Sequence, residues 1–210
     1  MQVEIWSDLV CPWCYLGKRR LEQALDWFPH RDRVDIIWRS FELEPDAPAR
    51  PRDLTSRLVS RYGMSETEAA ERHAHMTGLA ADAGLTFRLD IAQHGNTFAA
   101  HRVLHAARAA GVESQAKERL LAAYFTEGRA ISDPGTLAEV ASEVGVDARA
   151  ALADERLASE VRADEREAAD LGITGVPFFV LGRRYAVSGA QPADLLLQAL
   201  ERAWADTMAA

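Results

Sequence analysis

Val3-Glu4-Ile5-Trp6-Ser7-Asp8-Leu9-Val10-Cys11-Pro12-Trp13-Cys14 opens as a short apolar, β-compatible run and ends on two cysteines three positions apart. Pro12 suits the first turn of a helix, where its missing N–H costs nothing. Leu21, Leu25 and Phe28 continue an apolar stripe at helical spacing, and Pro29 ends it. Val34, Ile36 and Trp38 then alternate with Asp35, Ile37 and Arg39, which predicts a second strand. Cys11-x-x-Cys14 therefore sits at the junction of a strand and a helix inside a β-α-β unit. In a reducing compartment that pattern reads as a thioredoxin-like redox pair. Residues i and i+3 of a first helical turn are close enough to bridge. Cys11, at the helix N-terminus, meets free N–H groups and the positive end of the dipole. These favour a thiolate and predict a lowered pKa. Cys14, one turn in, is expected to be more buried and to resolve a mixed disulfide formed on Cys11.

The rest of the chain divides around this unit. It holds 38 alanines, 27 of them between Ala69 and Ala169. Alanine is the best helix former, so the middle reads as a succession of helices. One runs over Thr97–Ala110. Another opens at Asp133-Pro134, and a charged one covers about Asp154–Leu171. Pro45–Pro51, with three prolines, reads as a linker into this block. Val176–Leu181 and Tyr185-Ala186-Val187 flank the turn Gly182-Arg183-Arg184 and predict a hairpin, followed by a helix from about Pro192. The order β-α-β, helical block, β-β-α gives an α/β fold. The first two strands should be parallel, with a right-handed connection. The hairpin should join the same sheet antiparallel, with helices on both faces.

Composition narrows the function. At 210 residues the chain can bury its own core, and a single cysteine pair is too few to staple it. Lys and Arg total 24 against 32 Asp and Glu, a formal charge of −8. Nucleic acid and anionic membranes are poor partners for such a chain. No stretch nears the roughly 20 apolar residues that span a bilayer. Met1-Gln2-Val3-Glu4 lacks a basic leader, so a cytoplasmic location is expected. A zinc site normally needs four ligands, and this pair supplies two. His73 and His75, or His101 and His105, could complete a set, but nothing in their spacing demands it, and no metal is expected. Nucleotide-binding glycine loops and the nucleophile elbow are absent from the sequence. Asp8, three residues before Cys11, could shuttle protons. As an ordinary strand-end Asp it needs no such role. Lys18 and Arg19 could attract an anionic partner, although solvated helix charges are the default.

These segments together resemble the thioredoxin superfamily, specifically DsbA-like members with a helical insertion. Within these the chain is similar to the FrnE-like cytosolic branch. The likeness rests on Trp6–Gly17 around the cysteines, on Trp38-Arg39-Ser40-Phe41-Glu42-Leu43-Glu44-Pro45, and on Asn96-Thr97 with Ala100-His101-Arg102. It rests further on Gly172–Phe179 and on Val187-Ser188-Gly189-Ala190-Gln191-Pro192. It implies a thioredoxin fold, a mixed sheet flanked by helices, with an inserted all-helical domain. Residues 1–45 and 155–210 would form the core and 46–154 the insertion. It implies a cis Pro177 facing Cys11 and Cys14, with the Val176 backbone free to pair with an extended peptide or glutathione. Trp13, Asn96, Gly189 and Gln191 would join Val176 in contacting substrate; Asn96 equally suits a helix N-cap. No bound cofactor is implied, with glutathione as a possible co-substrate. Partners would be protein thiols and disulfides or small-molecule thiols, and the chain a monomer or homodimer. Related 2-hydroxychromene-2-carboxylate isomerases and kappa-class glutathione transferases typically carry serine at the position of Cys11. This chain keeps both cysteines. A thiol–disulfide oxidoreductase is therefore the expectation. A glutathione-dependent isomerase or transferase of a small aromatic molecule is the alternative, and a peptide-binding module without turnover a third.

Overall fold

The computed structural model describes residues 1–208. Strand β1 (Gln2–Ser7) leads into α1 (Pro12–Trp27), a single 3-10 turn over Arg31–Arg33, and β2 (Asp35–Ser40). A short strand β3 (Arg52–Asp53) precedes α2 (Leu54–Tyr62) and α3 (Glu66–Asp82). After β4 (Gln93–His94) come α4 (Phe98–Ala109), α5 (Glu113–Phe125), α6 (Pro134–Ser142), α7 (Ala148–Ala153) and α8 (Glu155–Asp170). Strands β5 (Phe178–Leu181) and β6 (Tyr185–Ser188) and helix α9 (Ala193–Met208) follow. The chain divides into two compact units, residues 1–43 with 162–210, and residues 44–161. The boundary falls inside α8 and not at its start.

The first unit is built on a four-stranded sheet of order β2-β1-β5-β6. β1 pairs parallel with β2, from Gln2 opposite Asp35 to Ser7 opposite Ser40. It pairs antiparallel with β5, and β5 antiparallel with β6. Alternation along β1 sends Val3 and Ile5 to one face and Glu4 and Trp6 to the other. On the first face Val3, Ile5, Phe179 and Leu181 pack with Leu21 and Ala24 of α1 and Leu196, Leu200 and Ala203 of α9. On the second, Trp6 packs with Ala168 of α8 and Ile173, with Val176, Phe178 and Val180 against them. This is the mixed sheet flanked by helices that the segment order predicts.

A half-buried charge sits on that second face. Arg39 of β2 is hydrogen-bonded to Glu4 and Asp164, and its guanidinium lies 5.9 Å over the Trp6 ring. Asp164 also accepts from the Ser40 N–H at 2.9 Å. The carboxylates compensate the guanidinium as it leaves water, which is the condition for burying it.

The second unit is mainly helical, with one interruption. β3 and β4 form a two-residue antiparallel ladder, so this part is not all helix. Phe87 stacks on Phe125, and Tyr124 meets Phe125 edge-on. Glu44 joins Arg57, Arg61 and His94 in an ion cluster.

Candidate active site

Cys11 occupies the N-cap position of α1 in extended conformation, with Pro12 in the first turn. Its carbonyl accepts from the N–H groups of Cys14 at 3.0 Å and Tyr15 at 3.4 Å. The helix thus begins on the first cysteine and carries the second one turn on. Both are free thiols and both are buried, Cys11 at 3 % and Cys14 at 1 % exposure. Trp13 between them is 41 % exposed and presents an apolar surface beside the pair.

The partner of Cys11 comes from the far end of the chain. Its Sγ donates to the carbonyl oxygen of Val176 at 3.6 Å, and the Val176–Pro177 peptide bond is cis. Two contacts hold this loop, and a third holds the loop after β6 that braces it. Pro177 packs against Gly17 of α1: a Cβ on Gly17 would stand 2.8 Å from the proline Cγ and 3.3 Å from Phe179. The Gly189 N–H donates to the Pro177 carbonyl at 2.8 Å, with Gly189 in the left-handed region (φ 79). Glycine enters that region without a Cβ penalty. Arg20 of α1 hydrogen-bonds the Ala190 carbonyl.

Gly189 and Gln191 thus lie in the loop after β6, which braces the segment carrying Pro177. The Gln191 side-chain amide is engaged within the same loop, donating to the Ser188 carbonyl at 2.9 Å. Asn96 belongs to the second unit and is engaged there, its amide donating to the Pro45 carbonyl and its oxygen accepting from the Phe98 N–H. Thr97, and not Asn96, holds the N-cap position of α4. Lys18 and Arg19 both pair with Glu22, so neither charge is left for an anionic ligand alone. His101 and His105 are buried in α4, with His105 against Glu160. Among the described residues no group of three or more His, Cys, Asp or Glu side chains could hold a metal ion.

The thiol chemistry departs from the sequence expectation. Cys11 is held well above the usual thiol range. A side-chain hydrogen bond with Cys14 contributes most, followed by burial, the charge of Cys14 and, more weakly, the Asp8 carboxylate. Only the backbone of Cys14 pulls the other way. The helix start does act in the predicted direction, but a buried dithiol outweighs it, because an ion in that position loses its water. Asp8 is itself buried. One oxygen accepts from the Leu9 N–H at 2.7 Å and the other from the Leu43 N–H at 2.8 Å, tying the end of β1 to the segment after β2.

Sequence reasoning missed Gly17 and Glu42. A glycine inside a helix costs about 1 kcal/mol relative to alanine, so its presence between Leu16 and Lys18 was a readable sign of close packing. Glu42 left no such sign. It is buried against Arg162 and Glu165 of α8, which lie far away in sequence.

The strand-to-helix dithiol thus faces a cis-proline loop. A model of the DSBA-like thioredoxin domain matches residues 2–201. The chain belongs to the DSBA-like thioredoxin domain family. A solved probable DsbA oxidoreductase from Streptomyces coelicolor is 47 % identical, with a TM-score of 0.92 over 98 % of this chain and 90 % of that one. The cytosolic disulfide reductase DsbM from Pseudomonas aeruginosa, also solved with glutathione, is 22 % identical over 96 % of this chain and 98 % of that one. Its TM-score without glutathione is 0.68. A 2-hydroxychromene-2-carboxylate isomerase is 18 % identical, with a TM-score of 0.71 over 99 % of this chain and 98 % of that one. The last two likenesses are of fold. Together these neighbours accord with the FrnE-like branch of the DSBA-like family.

Proposed function

We propose that the protein is a thiol–disulfide oxidoreductase whose whole cycle runs through Cys11 and Cys14. The observation that carries this reading is the position of Cys11 at the head of α1, with its Sγ against the Val176 carbonyl and Cys14 one turn behind. In the reducing direction the Cys11 thiolate attacks one sulfur of a substrate disulfide. The other sulfur leaves as a thiolate and takes up a proton, and a mixed disulfide remains on Cys11. Cys14, losing its proton, attacks the Cys11 sulfur and expels the second substrate thiol. The protein is left as a Cys11–Cys14 disulfide, which two molecules of an external thiol return to the dithiol. Run backwards, the same steps oxidise a substrate dithiol.

The resting thiol is protonated, with the Val176 carbonyl as acceptor. A substrate strand placing its own N–H on that carbonyl competes for it and frees the thiol proton, so docking and activation coincide. Trp13 supplies apolar contact beside the sulfur. Pro177, held by Gly17 and Gly189, fixes the direction of approach. Gly189 and Gln191, both half-buried, remain candidate substrate contacts. Substrates are protein or low-molecular-weight thiols and disulfides. Glutathione acts as co-substrate and not as a resident cofactor, a reading supported by the DsbM structure with glutathione. A cytoplasmic location fits the likeness to a cytosolic reductase, and no helix among the described residues is long and apolar enough to cross a membrane.

The test is glutathione-coupled disulfide reduction, and oxidation of a dithiol peptide, by the wild type and Cys11→Ser. Exchange in the wild type and its loss in the variant are expected. No exchange by the wild type, or full activity in the variant, would sink the proposal. A glutathione-dependent isomerisation surviving in Cys11→Ser would favour the isomerase chemistry of the fold neighbour. Tight peptide binding without turnover would favour a binding module.

A further inference from the structure

The second unit holds a cleft of about 560 Å³ that the thiol chemistry does not use. It is formed by the end of α4, the turn before α7, α7 itself and the start of α8. Its volume falls within the roughly 300–1,000 Å³ of small-molecule sites. Five alanines line it, Ala106, Ala109 and Ala110 from α4 and Ala150 and Ala151 from α7, with Leu157 of α8. Alanine stops at Cβ, so these helices meet without side chains long enough to fill the space between them. The charged groups on the lining fall into two sets. Arg156 donates to both oxygens of Asp154, at 3.1 and 2.7 Å, and that pair cancels. Arg108 donates at 3.0 and 2.8 Å to Glu113, which stands outside the cleft. Asp147 and Glu160 are different. Asp147 accepts the Arg149 and Ala150 N–H groups on Oδ1 alone and forms no ion pair among the described residues. Glu160 Oε2 accepts from His105 Nδ1 at 3.0 Å, and its Oε1 receives no hydrogen bond from the described residues. His105 is only 4 % exposed, so a fixed imidazole holds the Glu160 carboxylate at the cleft. Even a protonated His105 would leave the charge of Asp147 unmatched.

We propose that this cleft binds a small organic cation, an ammonium group on a compact apolar body. A carboxylate can only accept, so the open oxygens of Glu160 and Asp147 call for a donor. The ammonium donates to Glu160 Oε1, and Asp147 adds its charge from the head of α7. The apolar body lies against the alanines and Leu157 and shields them from water. Because His105 already fixes the carboxylate, little side-chain freedom is lost on binding. An anion of the same shape would meet two like charges. A neutral analogue would cover the carboxylate without the charge that compensates it.

The cleft belongs wholly to the second unit, so its test stands apart from any result at Cys11. Phenethylamine, phenethyl alcohol and phenylacetate share one aromatic body and differ in charge. Each is titrated at neutral pH into the full-length, isotope-labelled protein, with backbone amide shifts followed by NMR. The amine should give saturable shifts in the millimolar range at the end of α4, in α7 and at the start of α8. The alcohol should bind about tenfold more weakly, and phenylacetate should not saturate. Glu160→Gln keeps the shape and removes the charge. It should weaken the amine about tenfold and leave the alcohol unchanged. Ala150 and Ala109 are exposed helical positions where leucine is tolerated. Ala150→Leu and Ala109→Leu should each fill the cleft and abolish the shifts. Absence of saturation with the amine, shifts centred elsewhere, or equal binding of the alcohol or phenylacetate would overturn the proposal. So would unchanged affinity for the amine in Glu160→Gln or in both leucine variants.

Discussion

Gly17 sets how closely α1 approaches the loop that carries Pro177. A methyl group there would stand 2.8 Å from a ring carbon that cannot swing aside. Gly17→Ala should therefore gain helix propensity and still lose stability. Overpacking costs about 1–3 kcal/mol, read as a lower denaturant midpoint. Exchange should suffer more, since a shift of about 1 Å in a reacting group can cost on the order of a hundredfold in rate. Asp8 offers the opposite case. Its carboxylate holds the Cys11 thiol up, so Asp8→Asn should bring the thiol down and speed its alkylation at neutral pH. The same change weakens the bond to either the Leu9 or the Leu43 N–H, so a lower melting temperature should accompany the faster chemistry. Both outcomes come from charge and contact at a single side chain.

At the level of elements, the helices of the second unit differ in how they start. Asp133 caps α6 by accepting from the Thr136 N–H, and Ser65 and Glu68 close a reciprocal capping box on α3. The Thr97 side chain at the head of α4 makes no cap bond, and the Phe98 N–H is taken by Asn96 instead. Asp133→Ala and Ser65→Ala should each cost about 1 kcal/mol in thermal or denaturant unfolding, and Thr97→Ala measurably less. Much of this layer could be read from the chain. The Asp133-Pro134 start and the Gly182-Arg183-Arg184 turn place α6 and the β5–β6 hairpin, because caps and turns are local chemistry. Sequence reasoning misses helix α7, since Ala148–Ala153 is too short to show a period. The β3–β4 ladder was missed for another reason. Two residues in each strand carry no alternation, and the pairing joins segments about forty residues apart.

Across the whole molecule, long-range partners were the least legible. The cysteine pair declared itself by spacing, while Glu42 with Glu165 and Arg39 with Asp164 meet only because the topology returns α8 to the sheet. Glu42 and Glu143, one in each unit, respond to pH in opposite senses. Glu42 prefers its proton in the folded state, so its contribution to stability is full below 4.5 and fades as pH rises through about 7. Glu143, in the second unit, is lowered to about 2 by hydrogen bonds from Arg119 and Arg129. Its contribution is full above 4.5 and is lost as pH falls toward 2. All five tryptophans lie in the first unit, so indole fluorescence follows that unit, while far-ultraviolet dichroism weights the helical second one. Glu42→Gln should flatten the fluorescence midpoint between weakly acid and neutral pH, and Glu143→Gln the acid limb of the dichroism. The split construction of the first unit also has a consequence in time. Cys11 and the Val176 carbonyl that covers it are 165 residues apart. At about 5–20 residues per second, Cys11 leaves the ribosome roughly 8–33 s before its cover is made. Through that interval both thiols are exposed to any oxidant or thiol nearby, and the second unit, emerging between them, can fold first. The thiol pair is then covered only when β5 joins the sheet, so the newborn chain meets its surroundings as an open dithiol before it becomes a guarded one.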